Sequence, residues 1–148
     1  MAERRFAAIA AYAGRVALPE RKTAASAGYD LAAAEETVVA PGQVALVPTG
    51  LKAYMGEGEV MLLAIRSSLA VKRQLSLANG VGVIDADYAD NPENEGHILV
   101  AVLNHGPEPV TIARGERVAQ AIFMPFLTTV DDRAGGKRSG GFGSTGAH

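Results

Sequence analysis

Short apolar runs separated by turn residues are the feature that most constrains the fold of this chain. Residues 60–65, 98–103 and 118–126 are three such runs, and Gly, Pro or Asn residues stand between neighbouring runs. Strands that recur about every 8–12 residues with turn signals between them are typical of all-β sandwiches, jelly rolls and barrels. The sequence therefore predicts an all-β fold. Residues 60–65 are long and apolar enough to form a central strand.

Composition narrows the class of protein further. The chain has 148 residues, of which 48% are hydrophobic and 20% charged, and this is ordinary for one globular domain with its own core. It contains no Cys, which excludes disulfides and a thiol nucleophile and fits a reducing cytoplasm. The net charge of −2 argues against nucleic-acid binding driven by phosphate neutralisation. A small phosphorylated ligand needs only a local basic pocket.

The sequence predicts no contact with a membrane, because no apolar run approaches the roughly 18 residues of a membrane span. Arg4 and Arg5 precede the short apolar run 6–13, which weakly imitates a signal peptide. That run is rich in Ala and ends at Gly14, so a first core strand is the better interpretation.

The composition changes at Asp131. Beyond it the residues are mainly Gly, Ser, Arg, Lys and Asp, and Phe142 is the aromatic exception. We therefore expect a β domain over residues 1–130 and a flexible C-terminal arm over residues 131–148. Glycines beside hydroxyls and a guanidinium also form a phosphate cradle, so a plain tail and a phosphate clamp are both open from composition alone.

Two strand ends carry candidate site residues. Arg66, Ser67 and Ser68 follow the central apolar run and suit an anion site, although a helix cap explains them more simply. Residues 67–73 are expected to form one or two helical turns. Asp85 ends a second apolar run and is a candidate general base, with a plain turn as the alternative.

The dipeptide Asn79-Gly80, just before that second run, predicts a β-hairpin. Backbone groups of such a hairpin can match the acceptor, donor, acceptor edge of uracil. His97 and His105 have no partner at metal-ligand spacing and are expected at the surface. The acidic residues 90–95 are expected to form a solvated loop.

Five segments in fixed order together resemble the trimeric dUTPase family. They are residues 27–31, 66–70, 79–88, 115–120 and 137–146, and the sequences Gly-Val-Ile-Asp-Ala-Asp-Tyr and Gly-Gly-Phe-Gly-Ser-Thr-Gly within them are highly specific. The resemblance implies a jelly-roll subunit, a homotrimer, Mg²⁺ as cofactor and hydrolysis of dUTP to dUMP and pyrophosphate. That reaction keeps uracil out of DNA and supplies dUMP for dTMP synthesis. It also implies active sites shared among chains: segments one, two and four from one subunit, segment three from a neighbour and the tail from the other neighbour.

The resemblance also implies a role for each matching residue. Asp85 would activate the attacking water, Asp30 and Lys137 would have supporting roles, and Mg²⁺ would be held by substrate phosphates and water. The residues expected to bind uracil and deoxyribose are Asn79, Gly82, Val83, Tyr88 and Phe142. Those expected to bind the phosphates are Arg66, Ser67, Ser68, Gln120, Arg138, Ser144 and Thr145.

The chain departs from the family pattern at two places. The loop of residues 89–96 is longer than in common members, and its role is open. The tail arginine, Arg138, stands four residues before Phe142, whereas many members have it five before, where this chain has Lys137. Which of the two contacts the γ-phosphate is therefore open.

Two other functions compete with dUTP hydrolysis. A dCTP deaminase has the same fold and trimer, but that family lacks the segment at residues 82–88 and would release ammonia from dCTP. A nucleotide-responsive regulatory protein would bind dUTP without releasing pyrophosphate. Asp85 and the intact tail favour the hydrolase.

Overall fold

A computed structural model describes residues 3–143, and its architecture confirms the predicted all-β class. The one α-helix of this part of the chain, α1, is Ser67–Arg73, and a 3₁₀ turn, Ala10–Tyr12, follows the first strand. The strands are β1 (Arg5–Ala8), β2 (Tyr29–Ala32), β3 (Thr37–Val39), β4 (Val44–Pro48), β5 (Leu51–Tyr54), β6 (Glu59–Ile65), β7 (Leu75–Leu77), β8 (Gly82–Asp85), β9 (Leu99–Asn104), β10 (Val110–Ile112) and β11 (Arg117–Pro125).

All strand pairings are antiparallel, as expected for a jelly-roll-like fold whose strands are joined by short turns. The largest sheet has the order β2-β11-β6-β8 and a second has the order β4-β9-β7, with two-stranded ladders β1-β5 and β3-β10 beside them. Strand β6 lies between β11 and β8, which confirms the prediction of a central strand. Strand β8 is an edge strand of its sheet.

Aliphatic side chains fill the space between the sheets, as a sequence poor in aromatic residues requires. Burying each such side chain contributes about 1.5–3 kcal/mol. Fully buried members of the core are Leu31, Leu51, Met61, Leu75, Ile98, Ile112, Val39, Val47, Val100, Val102 and Val118. No helix in residues 3–143 has the length and apolarity that crossing a membrane requires.

Local expectations were met at the N-terminus and at the helix. Strand β1 confirms a first core strand, and α1 confirms the short helix, which ends where Gln74 adopts a left-handed φ of 56°. The run 31–36 favours helix by propensity alone, yet its start belongs to β2, because Leu31 is buried in the core. Tertiary packing outweighs Ala propensity there.

The Asn79-Gly80 turn forms, but the predicted hairpin ladder does not. Gly80 has a φ of 77°, and its N–H donates to Leu77 O at 3.0 Å. However, β7 pairs with β9 while β8 pairs with β6, so the turn connects two different sheets. Close packing of β8 on β6 explains this choice, since a Cβ on Gly82 would lie 2.9 Å from the Cβ of Leu63.

Candidate active site

Segments one, two and four of the sequence meet in the largest sheet. Gln120 on β11 lies opposite Asp30 on β2 and opposite Ala64 on β6. The Arg66 N–H donates to Val118 O at 3.1 Å, which fixes the end of β6 against β11. Because directly opposite residues share one face of a sheet, the register itself places Asp30 beside Gln120.

A carboxylate between two guanidinium groups is the charged centre of this region. The Asp30 side chain is only 17% exposed, with Oδ2 at 3.3 Å from Arg117 Nη1 and Oδ1 at 4.0 Å from Arg66 Nε. We call Asp30, Arg66, Arg117 and Gln120 the sheet cluster. Two cations around one anion leave a net positive charge, which suits an anionic ligand.

Two further features adapt the sheet cluster to a ligand. Gly28 provides room for the amide of Gln120, since a Cβ at position 28 would lie 2.4 Å from Gln120 Oε1. A concavity of about 350 Å³ opens beside Asp30 and Arg117, and Arg15 and Arg114 also line it. Arg117 was not singled out from the sequence, although it lies within the fourth segment.

The hydroxyls of Ser67 and Ser68 do not cap α1 in the way that the simpler interpretation required. Arg66 is the N-cap residue, and its side chain makes no capping hydrogen bond. Ser67 is exposed and Ser68 is half-buried at the first turn of the helix. Both residues therefore stand next to the sheet cluster, on the chain segment that follows β6.

The third segment and the tail meet at a second place, a pocket of about 220 Å³ beside β8. The pocket has an aliphatic side, to which Leu63, Leu77 and Leu99 contribute. Of the residues singled out from the sequence, its lining contains Asn79, Gly82, Val83, Asp85, Tyr88, Arg138 and Phe142. We call it the β8 pocket.

Two carboxylates and one arginine form the charged edge of the β8 pocket. Arg138 Nη2 lies 2.5 Å from Asp85 Oδ2, and Arg138 Nε lies 2.7 Å from Asp87 Oδ1. The hydrogen bond to Asp87 raises the pKa of Arg138 further above its usual range. Asp85 remains 51% exposed, whereas Arg138 is 13% exposed. The sequence placed Asp87 in the third segment but gave it no role.

Tyr88 forms a rigid wall of the same pocket. Its hydroxyl donates to His97 O at 2.7 Å and accepts from Asn94 Nδ2 at 2.9 Å. Burial raises the pKa of Tyr88 above its usual value. On its other side the ring packs against Gly141, where a Cβ would lie 2.8 Å from Tyr88 Cε1.

The two histidines differ in their environment. His97 was expected at the surface, but it is half-buried, and its Nε2 accepts the Gly50 N–H at 2.9 Å. Burial lowers the pKa of His97, so the ring is neutral near pH 7. His105 is exposed, with its Nε2 at 2.7 Å from Ser76 Oγ. The expectation for His97 was wrong because spacing along the chain does not report the neighbouring Gly50 loop.

The residues of the arm differ in their position relative to the β8 pocket. Arg138 points to the acidic edge, while Lys137 is exposed and makes no hydrogen bond or ion pair with residues 3–143. Phe142 stands at the pocket rim, 71% exposed and with a left-handed φ of 50°. Ser144 and Thr145 lie outside the described residues.

One chain thus carries two separate groups of site residues. The sheet cluster unites segments one, two and four, as the resemblance implied for a single subunit. The β8 pocket unites the third segment with the tail of the same chain, whereas the resemblance implied two different subunits. Within the one chain described, Arg138 pairs with Asp85 and Asp87 at the end of its own β8.

The fold and these two groups define an all-β protein that offers one cation-lined surface and one pocket bordered by a C-terminal arm. The chain belongs to the dUTPase family, because residues 15–146 match the family model described as dUTPase. A curated relative named deoxyuridine 5'-triphosphate nucleotidohydrolase, from Lactococcus lactis, is 54% identical over 132 residues, which are 88% of each chain.

Solved structures agree with this family assignment. The crystal structure of a dUTPase from Streptococcus mutans has a TM-score of 0.82 and 50% identity, and it covers 84% of this chain and 98% of its own. A dUTPase from phage phi11 of S. aureus, which coordinates a structural Mg(II) ion, has a TM-score of 0.74 at 23% identity, covering 89% and 96% of the two chains. The second likeness shows the shared fold alone.

Proposed function

We propose that this protein hydrolyses dUTP to dUMP and pyrophosphate, and that Asp85 activates the water that attacks the α-phosphorus. The observation that carries the proposal is the carboxylate of Asp85 at the mouth of the β8 pocket, beside the arm residue Arg138. The L. lactis relative carries the name of this activity at 54% identity. Residues 1–130 form the catalytic β domain in this proposal, and residues 131–148 form the closing arm. A cytoplasmic location, expected from the lack of Cys, belongs to the same proposal.

The β8 pocket is the proposed site for uracil and deoxyribose. Gly82 and Val83 lie on an edge strand, so their outer backbone groups are available to hydrogen bond the edge of a pyrimidine. Asn79 stands at the same lining. Tyr88, fixed by hydrogen bonds at its hydroxyl, would contact the deoxyribose and exclude a 2′-hydroxyl. Phe142 would cover the base from the rim.

The sheet cluster and the arm are the proposed phosphate sites. Arg66, Gln120 and the hydroxyls of Ser67 and Ser68 would hold phosphate oxygens, with Asp30 keeping the two guanidinium groups in place. Arg138, rather than Lys137, would contact the outer phosphates, because it alone of the two points to the acidic edge. Ser144 and Thr145 belong to the same proposed clamp.

The ion pairs of Arg138 with Asp85 and Asp87 place the proposed base next to a guanidinium group. Phosphate oxygens of a bound triphosphate would compete for that guanidinium, which would leave Asp85 to accept a proton from water aligned with the α-phosphorus. A positioned carboxylate base contributes typically about 10²–10⁴-fold, and the arginines stabilise the charge that develops on the phosphates.

The donor set fits a Mg²⁺ ion that arrives with the triphosphate. In the described part of the chain no three His, Cys, Asp or Glu side chains converge as a metal site. Asp85 and Asp87 offer carboxylate oxygens that can accept hydrogen bonds from metal-bound water. When bound, Mg²⁺ would neutralise phosphate charge and fix the conformation of the chain of phosphates. The role of the two carboxylates would be to orient that hydrated complex.

A homotrimer with shared active sites is part of the proposal. The sheet cluster and the β8 pocket have no residue in common, so a neighbour that brings its sheet cluster to this pocket would complete the site. Mixed trimers of Asp85→Asn chains and chains that lack residues 137–148 distinguish two arrangements. Recovery of activity on reassembly requires an arm from a different chain, whereas no recovery indicates that each arm serves its own β8 pocket.

Pyrophosphate release with Mg²⁺ across dUTP, dTTP, dCTP and UTP tests the function. We expect rapid release from dUTP and at least about a hundredfold lower kcat/KM for the other three. The edge of dCTP would leave buried polar atoms unpaired, whereas the methyl group of dTTP and the 2′-hydroxyl of UTP would collide with the proposed pocket. Ammonia released from dCTP would instead identify a deaminase. Tight binding of dUTP without pyrophosphate would identify a regulatory protein.

A further inference from the structure

The acidic loop, defined as residues 89–96, is firmly anchored to the β framework on its outer side. Lys52 Nζ lies 2.6 Å from Asp90 Oδ1 and 2.8 Å from Glu95 Oε2, and Tyr54 OH donates to Asp90 Oδ2 at 2.6 Å. The Ala10 N–H donates to the Glu95 carboxylate at 3.1 Å. These hydrogen bonds lower the pKa values of Asp90 and Glu95. Asp90 and Glu93 are exposed, as expected for an acidic loop, but these contacts also hold the loop against the framework.

Asn91 organises the interior of the acidic loop. Its side chain is buried, and Nδ2 donates to Tyr88 O and to Asn94 Oδ1, both at 2.7 Å. Its Oδ1 accepts the N–H groups of Glu93 and Asn94 at 3.0 and 3.1 Å. An amide that satisfies four groups in this way holds a short loop in one conformation.

The inner side of the acidic loop contacts the arm. The Glu93 N–H donates to Ser139 O at 3.1 Å. Gly140 is buried against the Glu93 side chain, and a Cβ at position 140 would lie 1.4 Å from Glu93 Oε2 and 2.8 Å from Glu93 Cβ. The φ of Gly140 lies outside the left-handed region, so this position needs a glycine for space and not for backbone conformation.

The same side of the loop also orients Tyr88. Asn94 donates to the Tyr88 hydroxyl, and the Tyr88 ring packs on Gly141, the next residue of the arm. The arm therefore rests on two adjoining surfaces that both depend on the acidic loop. Arg138 and Phe142 stand immediately before and after these contacts.

We propose that the acidic loop is the seat of the C-terminal arm, and that Glu93 is a positioning residue that sets where Arg138 and Phe142 close on the β8 pocket. Glu93 is not one of the residues that line the pocket, and it forms no ion pair with Arg138, so we infer that it acts through the arm. This inference rests on the proposed dUTP hydrolysis. The arm is rich in glycine and has no helix or strand in its described residues. The insertion after Tyr88 would therefore define the closed position of the arm.

Gly140→Ala in the full-length chain tests the seat, because the added methyl group fits the backbone but not the space in front of Glu93. Gly136→Ala is the matched control, since a Cβ at position 136 meets nothing within 4 Å. Glu93→Gly in the Gly140→Ala background removes the collision and keeps the Glu93 N–H that Ser139 O accepts. Each protein is assayed for thermal unfolding, for hydrogen exchange of residues 137–143 without nucleotide, and for dUTP hydrolysis.

We expect Gly140→Ala to exchange faster over residues 137–143 and to lose at least about tenfold in kcat/KM, because small displacements of positioning groups are costly. The thermal unfolding temperature of Gly140→Ala should equal that of the wild type, and Gly136→Ala should match the wild type in all three assays. The double variant should recover most of the hydrogen-exchange protection and most of the kcat/KM that Gly140→Ala loses. Equal behaviour of the two alanine variants would overturn the proposal, and so would a failure of Glu93→Gly to restore Gly140→Ala. Hydrogen exchange does not depend on turnover, so it tests the contact between the arm and the acidic loop even if the wild type fails to hydrolyse dUTP. That failure would contradict only the proposed function.

Discussion

The sheet cluster and the β8 pocket hold charged side chains by different means. Sheet register fixes Asp30 and Gln120, because each lies on a strand paired along its length. Arg138 instead comes from a segment without regular structure and is held by two ion pairs and by glycines that pack closely. The first arrangement is formed by folding of the sheet, whereas the second depends on side-chain contacts of a segment without regular structure. In the proposed function the first would hold the phosphates and the second would close over the nucleotide.

Removing residues 137–148 should reduce dUTP hydrolysis more than any other change that separates the sheet cluster from the β8 pocket. The truncated chain loses Arg138 and Phe142 but keeps every strand and the core. We expect wild-type thermal stability and at least about a hundredfold lower kcat/KM for dUTP, since loss of one charge-stabilising donor alone typically costs about 10²–10³-fold. Calorimetry with a pyrophosphate assay checks both. Full activity of the truncated protein would refute the role of the arm.

Arg138→Ala tests whether this arginine is the arm residue that contacts the phosphates, and Lys137→Ala is the control at the neighbouring position. We expect about 10–100-fold lower kcat/KM for Arg138→Ala, because hydrogen bonds to charged groups are worth about 1.5–3 kcal/mol each. Lys137→Ala should differ from the wild type by less than about threefold, since its side chain is exposed. Steady-state kinetics over a range of dUTP concentrations measures both. The reverse order of the two effects would assign the phosphate contact to Lys137.

A small dependence of the free energy of unfolding on pH is expected from His97, whose backbone carbonyl accepts the hydrogen bond of the Tyr88 hydroxyl. The pKa of His97 is lowered by burial from 6.5, so the unfolded chain binds its proton more readily. The stabilising contribution of neutral His97 is therefore complete above about pH 6.5 and is lost as pH falls towards the folded-state pKa. It is small beside a net stability of about 5–15 kcal/mol.

Denaturant unfolding at about pH 7.5 and at about pH 5.5 measures this effect. His97→Gln retains an acceptor for the Gly50 N–H but does not titrate, so its stability should fall less with acid than that of the wild type. His105→Gln, at an exposed site, is the control and should behave as the wild type does. An identical acid dependence for His97→Gln and the wild type would contradict the account.

The sequence predicted the strands that are long apolar runs. Runs bounded by turn residues located β6, β9 and β11 within one or two residues. It missed β7, whose three residues are too few to stand out as a run. It also assigned a hairpin to Asn79-Gly80, because local turn preference does not report that β7 and β8 have better partners in different sheets.

Candidate site residues that belong to a recognisable sequence motif were easier to predict than residues whose importance depends on contacts with distant parts of the chain. Arg138 and Asp85 are charged residues in distinctive motifs, and the structure brings them together. Asp87, Arg117 and Glu93 gave no separate signal, since their importance comes from contacts with chain segments distant in sequence. Such contacts depend on how loops pack, which no local pattern encodes.

Turnover and dUTP affinity of Asp85→Asn, measured side by side, test the central claim most directly. The substitution keeps the size of the side chain but removes the base. The account predicts that dUTP binding by calorimetry stays within about threefold, while kcat for pyrophosphate release falls at least about a hundredfold. Unchanged kcat with intact binding would contradict the assignment of Asp85 as the group that activates water.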